Sequence, residues 1–419
     1  MSHKSTTSRY HSLDALRAFA LLLGIVFHAA ESFCPGRDMW AITDMHAHEL
    51  FNLFQHVCHC FRMEIFFIMA GFFARLVFMR RGQWTFIKHR IKRILVPFII
   101  SWIILYPIVI FVWLSGWFKS GNANIQEIID MGLTPIEGFI GFFMTFQFMG
   151  DLFSLIHLWF LYQLLIIYAL FIMLRTAVSS VFSSDGSFSI WMDNIFKRVI
   201  ASPFNILWLS ALTLPCLWFM RSWGVYTPNE SLIPDIPVTM LYGLMFMVGW
   251  FLNRNQDLLE EITKRLWIYL FIGLILSYPT WQYSGIIHWF APDVEIGILH
   301  KLIHHSMYSM MMWSFILGVS GFFIRYCNNE SPAWRYVADS SYWLYLIHLP
   351  IVVYIQVLLA YIDLHWAIKY PLINLIAFPI LFLSYHYCVR STFIGAWLNG
   401  RKYPFIPLFR KVEIRTEEV

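Results

Sequence analysis

The chain has 419 residues, 59% of them hydrophobic and only 13% charged, with a mean hydropathy of +0.61. Ordinary soluble domains carry about 25% charged residues, so the composition excludes a soluble enzyme and points to a polytopic membrane protein. The net charge of +5 is spread over short basic clusters between apolar runs, which excludes the single basic face that a nucleic-acid-binding protein needs.

The opening MSHKSTTSRYHS is short and polar, with no small-residue cleavage signature, so the first helix is read as retained. Apolar runs near the bilayer-crossing length follow at 13–32, 49–80, 94–118, 154–176, 201–222, 236–253, 265–283, 298–326, 338–362 and 367–389. A span needs roughly 20 apolar residues, so these runs predict an all-α bundle of about ten transmembrane helices. In the connection 119–153, TPIEGFIGFFMTFQFMGDLF is apolar but bracketed by Pro135 and Gly150, which predicts a short re-entrant or interfacial helix. The serine-rich segment 177–198 reads as a loop. There is no internal repeat and no appended soluble domain. The division expected is a membrane domain over 1–395 and a cytoplasmic tail over 396–419.

Basic residues set orientation. Arg80, Arg81, Lys88, Arg90, Lys92 and Arg93 place the end of the second span in the cytoplasm. Lys197 with Arg198, Arg254 with Lys264 and Arg265, Arg325 with Arg335, and Arg390, Arg401, Lys402, Arg410 and Lys411 then fall on the same side, with both termini. The six cysteines lack metal-ligand spacing. Cys58 and Cys60 are too few and too close for a zinc site, and Cys216, Cys327 and Cys388 read as small buried apolar residues. His300 and His304 lie four apart on one helix face, yet no third ligand is evident and zinc needs three or four, so no metal is expected.

Charge inside lipid is costly and marks function by default, and the first span carries Asp14, Arg17, His28 and Glu31. At about 100° and 1.5 Å per residue, Arg17 and His28 share a face roughly 16 Å apart, and Asp14 and Glu31 fall on the same stripe. Phe19, Leu23, Val26 and Phe33 face away. Histidine is the one side chain that changes charge near neutral pH without large perturbation, which makes His28 a candidate general base with a carboxylate neighbour. The alternative, a snorkelling Asp14–Arg17 pair at one boundary and His28 with Glu31 at the other, stays open. In the second span His56, His59 and Arg62 lie near one face and Glu64 roughly 200° from Arg62, so that helix is expected to be central. Ion pairing of Arg62 with a carboxylate of the first helix is the structural alternative.

Five stretches in register resemble the membrane acyltransferase 3 family. They are Arg17 and His28 with ten residues between them, FRMEIFFIMAGFF (61–73), KHRIKRILVPF with Arg90 and Arg93, IHLWFLYQLL (156–165) and SSYWLYLIHLPIVV (340–353). The resemblance covers about 11–400. HCFRMEIFFIMAGFF and the late YHYCVRSTFIGAWLNGRK are most similar to the branch that modifies osmoregulated periplasmic glucans. The chain departs from the family pattern at Ala70, where the family commonly has serine. Gly71 still permits close helix approach.

The resemblance implies an O-acyltransferase of the bacterial inner membrane that takes acyl groups, succinyl or acetyl, from coenzyme A thioesters. The acceptor it implies is a glucan or another envelope glycan or lipid. Arg90, Lys92 and Arg93, with Arg62, would hold the donor, although headgroup binding explains an inner basic cluster equally well. His28 would take the hydroxyl proton, supported by Glu31 or Asp14, with Arg17 or Arg62 polarising the thioester or pairing with a succinyl carboxylate. His59, Glu64, His157, Trp159, Tyr345 and His348 are the expected substrate contacts. Transfer through a covalent acyl-enzyme, a secondary transporter, a scaffold role and a homodimer all remain open.

Overall fold

The computed structural model of the protein describes residues 10–37, 39–144, 154–181, 186–290, 297–400 and 402–405. It is all-helical, with no strand among the described residues. Sixteen α-helices run α1 His11–Ala30, α2 Glu49–His59, α3 Arg62–Arg90, α4 Val96–Ser120, α5 Gln126–Asp130, α6 Pro135–Met144, α7 Trp159–Val181, α8 Ser187–Ala201, α9 Asn205–Trp218, α10 Ile236–Arg254, α11 Leu258–Lys264, α12 Leu266–Phe290, α13 Ile298–Tyr326, α14 Pro332–Leu359, α15 Trp366–Ser384 and α16 Phe393–Asn399. Asp235 and Ser331 cap α10 and α14 by accepting from Val238 and Trp334 N–H, each followed by the proline that suits a first turn.

Among the described residues seven helical runs are long and apolar enough to cross a membrane, eight if α8 and α9 count as one bent span. Three of the ten expected runs are not separate runs in that set. The two runs 49–80 and 94–118 are joined by continuous helical structure into one of 72 residues, about 108 Å at 1.5 Å per residue and so long enough for more than one crossing. Within α12, Tyr278-Pro279-Thr280-Trp281-Gln282 dilutes the apolar run below the threshold for a span. The run at 201–222 belongs to the α8–α9 pair, bent by 118°.

Local chemistry explains where these runs break. Gly82 holds φ 73° and ψ 168°, a region open essentially to glycine alone, and so divides α3 after the apolar Arg62–Arg81 part. The second span is not one helix either: it stops at Cys60–Phe61, so α2 and α3 present their histidines and Arg62 from separate elements. The serine-rich 177–198 segment is not a loop where the structure describes it: 177–181 end α7 and 187–198 belong to α8. There α8 exposes Phe188, Ile190 and Trp191 and lies across the direction of α9, as a helix resting at an interface does. The apolar TPIEGF segment gives α6, ten residues long, against α4 through Phe139–Phe111 and Phe143–Tyr106 ring contacts. The rest of that segment, including Gly150, lies outside the described residues, as do residues 1–9 and most of the tail with Arg401, Arg410 and Lys411. The boundary expected at 395 falls inside α16.

The tightest crossing is α3 on α10. A Cβ added at Gly71 would overlap the Phe246 carbonyl, and one at Gly249 would overlap the Ile68 carbonyl. Without a hydrophobic drive between helices in lipid, such backbone contact through small residues holds spans together. A buried ion pair adds a second tie: Lys369 on α15 donates to both oxygens of Asp44 at 2.9 and 2.8 Å and to the Ala360 carbonyl at 3.1 Å. All three ammonium protons are thereby used, and the 34–48 connection between α1 and α2 is held to the bundle. Replacing Gly71 by valine forces backbone apart, and overpacking costs about 1–3 kcal/mol or more. The expected result is a lowered thermal unfolding midpoint in nanodiscs, with Ala70→Val, on the neighbouring face, shifting it less.

Candidate active site: a cavity along the first helix

The polar stripe of α1 borders one cavity of about 1640 Å³, larger than the roughly 300–1,000 Å³ of common ligand sites. Asp14, Arg17, His28 and Glu31 all line it. The fourteen steps from Arg17 to Glu31 rise about 21 Å at 1.5 Å each, so the cavity extends along the length of the first helix.

At the basic end, Arg17 donates to the Ala338 carbonyl at 3.2 Å and lies 3.7 Å from Asp14. Arg90 and Arg93 border the same end; Lys92 does not and is exposed. The Arg90 guanidinium sits over the Phe86 and Tyr168 rings, 4.7 and 4.8 Å from their centroids, with a buried Nε that makes no hydrogen bond. Arg93 donates to the Leu398 carbonyl at 2.8 Å, and α16 with Asn399 lies beside it. A π-helical turn over Ile91–Leu95 carries Arg93, a departure frequent at functional sites.

Midway, Arg62 enters the cavity. It is 6% exposed, its guanidinium lies 4.2 Å from the Phe27 ring centroid, and its Nε and Nη1 make no hydrogen bond. Among the described residues no carboxylate pairs with it, so a pairing with α1 is not found. Gly24 provides its space: a Cβ there would stand 3.2 Å from Nη1. His157, Trp159, Tyr345 and His348 border the same region. The His348 ring lies 5.2 Å from that of His28 and 5.1 Å from that of His157. His348 Nδ1 is 2.8 Å from the Tyr345 carbonyl, which assigns the proton to Nδ1 and leaves the Nε2 lone pair for other use. Tyr345 in turn donates to the His157 carbonyl at 2.7 Å. Just before His157, Ile156 takes φ 49°, uncommon for a β-branched residue. Ala70 also borders the cavity, so its missing hydroxyl would have belonged to the lining.

At the far end His28 stands with Nδ1 buried and without a hydrogen bond. Neither carboxylate of α1 touches it: Glu31 pairs with Arg37 at 2.6 Å, and Asp14 is at the other end beside Arg17. Its surroundings come instead from residues that sequence reasoning missed. Trp40 lies parallel to the His28 ring at 6.1 Å. Gln356 donates to the His28 and Ala29 carbonyls at 2.8 and 3.0 Å and accepts from Trp40 Nε1 at 3.1 Å. A glutamine in the apolar run of α14 was the available signal.

Other expected residues lie elsewhere. His59 borders the cavity, 3.3 Å from Thr227 Oγ1, whereas His56 meets Thr280 and Glu64 is fully buried outside the lining. His300 and His304 both stack on Tyr283. Among the described residues no three His, Cys, Asp or Glu side chains are grouped to hold a metal ion. Cys216 is buried as expected, but Cys327 is half-buried and Cys388 exposed.

A family model for the acyltransferase domain matches residues 10–386. The chain belongs to the acyltransferase 3 family. This membrane acyltransferase is similar to glucans biosynthesis protein C of Escherichia coli strain SMS-3-5, 34% identical over 89 residues, which are 21% of this chain and 23% of that protein. It is likewise similar to that protein of strain K12, 33% identical over the same shares. The match therefore spans less than a quarter of these relatives. No solved structure matches the acyltransferase.

Gln356→Leu leaves the His28 carbonyl and the Trp40 indole without their partner. An unsatisfied buried group costs about 1–3 kcal/mol. The expected outcome is a lower unfolding midpoint in nanodiscs, with acyl transfer reduced further than the loss of folded protein accounts for.

Proposed function

We propose that this acyltransferase moves a succinyl group from a cytoplasmic coenzyme A thioester to a hydroxyl of a periplasmic glucan, in the inner membrane of a bacterium, with His28 as general base. The observation that carries the reading is one cavity lined by Arg90 and Arg93, by His28, and by the exposed Met39 and Glu230. Guanidinium groups match phosphate oxygens, and those of Arg90 and Arg93 border the cavity where a phosphate of the donor would lie. The basic clusters put that end in the cytoplasm by the positive-inside rule. Only the thioester arm would then have to reach the middle of the bundle.

There the acceptor oxygen attacks the thioester carbonyl carbon. The C–O bond forms, the C–S bond breaks, His28 takes the hydroxyl proton, and the departing thiolate receives it. Arg62 supplies the positive charge beside this point. A buried cation without a counter-ion is costly, and the carboxylate of a succinyl group would complete it, which favours succinyl over acetyl.

Two measurements test this. General-base catalysis contributes about 10²–10⁴-fold, so His28→Ala should lose transfer by that factor while its unfolding midpoint stays near wild type. Retained activity would remove His28 from the reaction. Arg62→Gln should lower kcat/KM with succinyl-CoA on the order of 30-fold or more, the loss expected when one partner of a buried charge pair is truncated, and acetyl-CoA much less. Equal losses with both donors would assign Arg62 to the carbonyl instead. Mass spectrometry of periplasmic glucans from deletion and complemented cells identifies the group transferred.

A further inference from the structure

The cavity mouth beyond His28 is walled by three tryptophans that the acyl-transfer chemistry does not use. Trp113 and Trp117 lie four residues apart on α4, hence on one face, and Trp40 comes from the 34–48 connection; all three line the cavity. Their indole N–H groups are taken inside the protein. Trp113 donates to the Met39 carbonyl at 3.3 Å, Trp117 to the Trp40 carbonyl at 3.1 Å, and Trp40 to Gln356. Between the two helical tryptophans Gly116 lets the connection approach, since a Cβ there would overlap the Ala41 carbonyl.

These tryptophans differ from a membrane-interface belt, in which the ring is anchored by its polar edge at the headgroups. Here the polar edges are tied down while the residues line the cavity, Trp40 and Trp113 part-exposed and Trp117 buried behind them on α4. Trp40 and Trp113 meet edge to face at 4.8 Å, and Trp40 in turn lies parallel to His28, so the aromatic surface leads to the proposed base. The same cavity is also lined by polar groups, Thr227, Asn229 and the exposed Glu230. A surface with fixed aromatic faces on one side and hydroxyl-bonding groups on the other suits a pyranose, whose ring has an apolar C–H face and a polar rim. An acyl chain of a lipid would leave that polar side without partners.

We propose that Trp40, Trp113 and Trp117 form an acceptor subsite on which a glucosyl ring stacks while Asn229 and Glu230 engage its hydroxyls, presenting the adjacent sugar hydroxyl to His28. The proposal rests on the reading of this cavity as the acyl-transfer site and specifies how its acceptor is held.

The test is binding of a linear gluco-oligosaccharide to the full chain in nanodiscs, free of glycoside detergent and without donor, by isothermal titration calorimetry. Trp113→Ala should weaken binding on the order of tenfold, about 1.4 kcal/mol, and Trp113→Phe, which keeps a ring face, should restore most of it. In turnover the KM for the oligosaccharide should rise while that for the donor serves as reference, since a collapsed mouth would raise both. Wild-type affinity in Trp113→Ala, or no binding by the wild type, overturns the proposal. If Trp113→Ala does not fold, Glu230→Gln decides it, and undiminished affinity there counts against the subsite. Binding that responds to Trp113 without any acyl transfer would leave the subsite standing and sink the transfer reading alone.

Discussion

Ionisable groups cannot face lipid cheaply, and α1 with the turn that follows it carries four of them. The rest of the bundle is arranged around that constraint. α14 closes one flank, sending Gln356 to α1 and the Ala338 carbonyl to Arg17. The α2–α3 junction closes another with His59 and Arg62, and the start of α7 brings His157 and Trp159. What results is an enclosed polar seam inside an apolar body. The close α3–α10 crossing through Gly71 and Gly249 supplies rigidity by backbone contact, so the seam need not be held by the polar groups themselves.

Much of this follows from periodicity. The 100° step of a helix places Asp14, Arg17, His28 and Glu31 on one stripe, and all four border the cavity. What periodicity does not carry is pairing across the chain. Glu31 satisfies Arg37, six residues on but beyond a turn, and Gln356 reaches His28 over 328 positions. The expected carboxylate–imidazole contact is therefore replaced by other partners. Glu64 and Lys92 stay out of the cavity by periodicity itself, each about 200° from a lining arginine, Arg62 or Arg90. Periodicity does not carry the break at Cys60–Phe61 or the π-turn at Ile91–Leu95. Neither break is announced by proline or glycine in the residues that form it. The serine content of 177–198 conceals α8, because its apolar positions Phe188, Trp191 and Ile195 repeat at helical spacing behind the serines.

The chemistry of the cavity is graded. One end gathers guanidinium groups, the middle holds one buried cation among histidines, and the far mouth is aromatic opposite amides and hydroxyls. In the proposed reaction, such grading would keep the groups that hold the charged donor apart from those that hold the neutral acceptor. Specificity for each can then be altered at residues that do not touch the other.

The Asp44–Lys369 pair has a consequence for biogenesis. The two residues are 325 positions apart, and synthesis runs from the N-terminus. Asp44 leaves the ribosome with the first hairpin and stays hydrated while helix after helix inserts. Its partner arrives only with α15, whereas Trp40 in the same connection can already meet Trp117 of α4. A chain cut short before Lys369 would contain every residue of α1 and still leave the buried Asp44 without its cation.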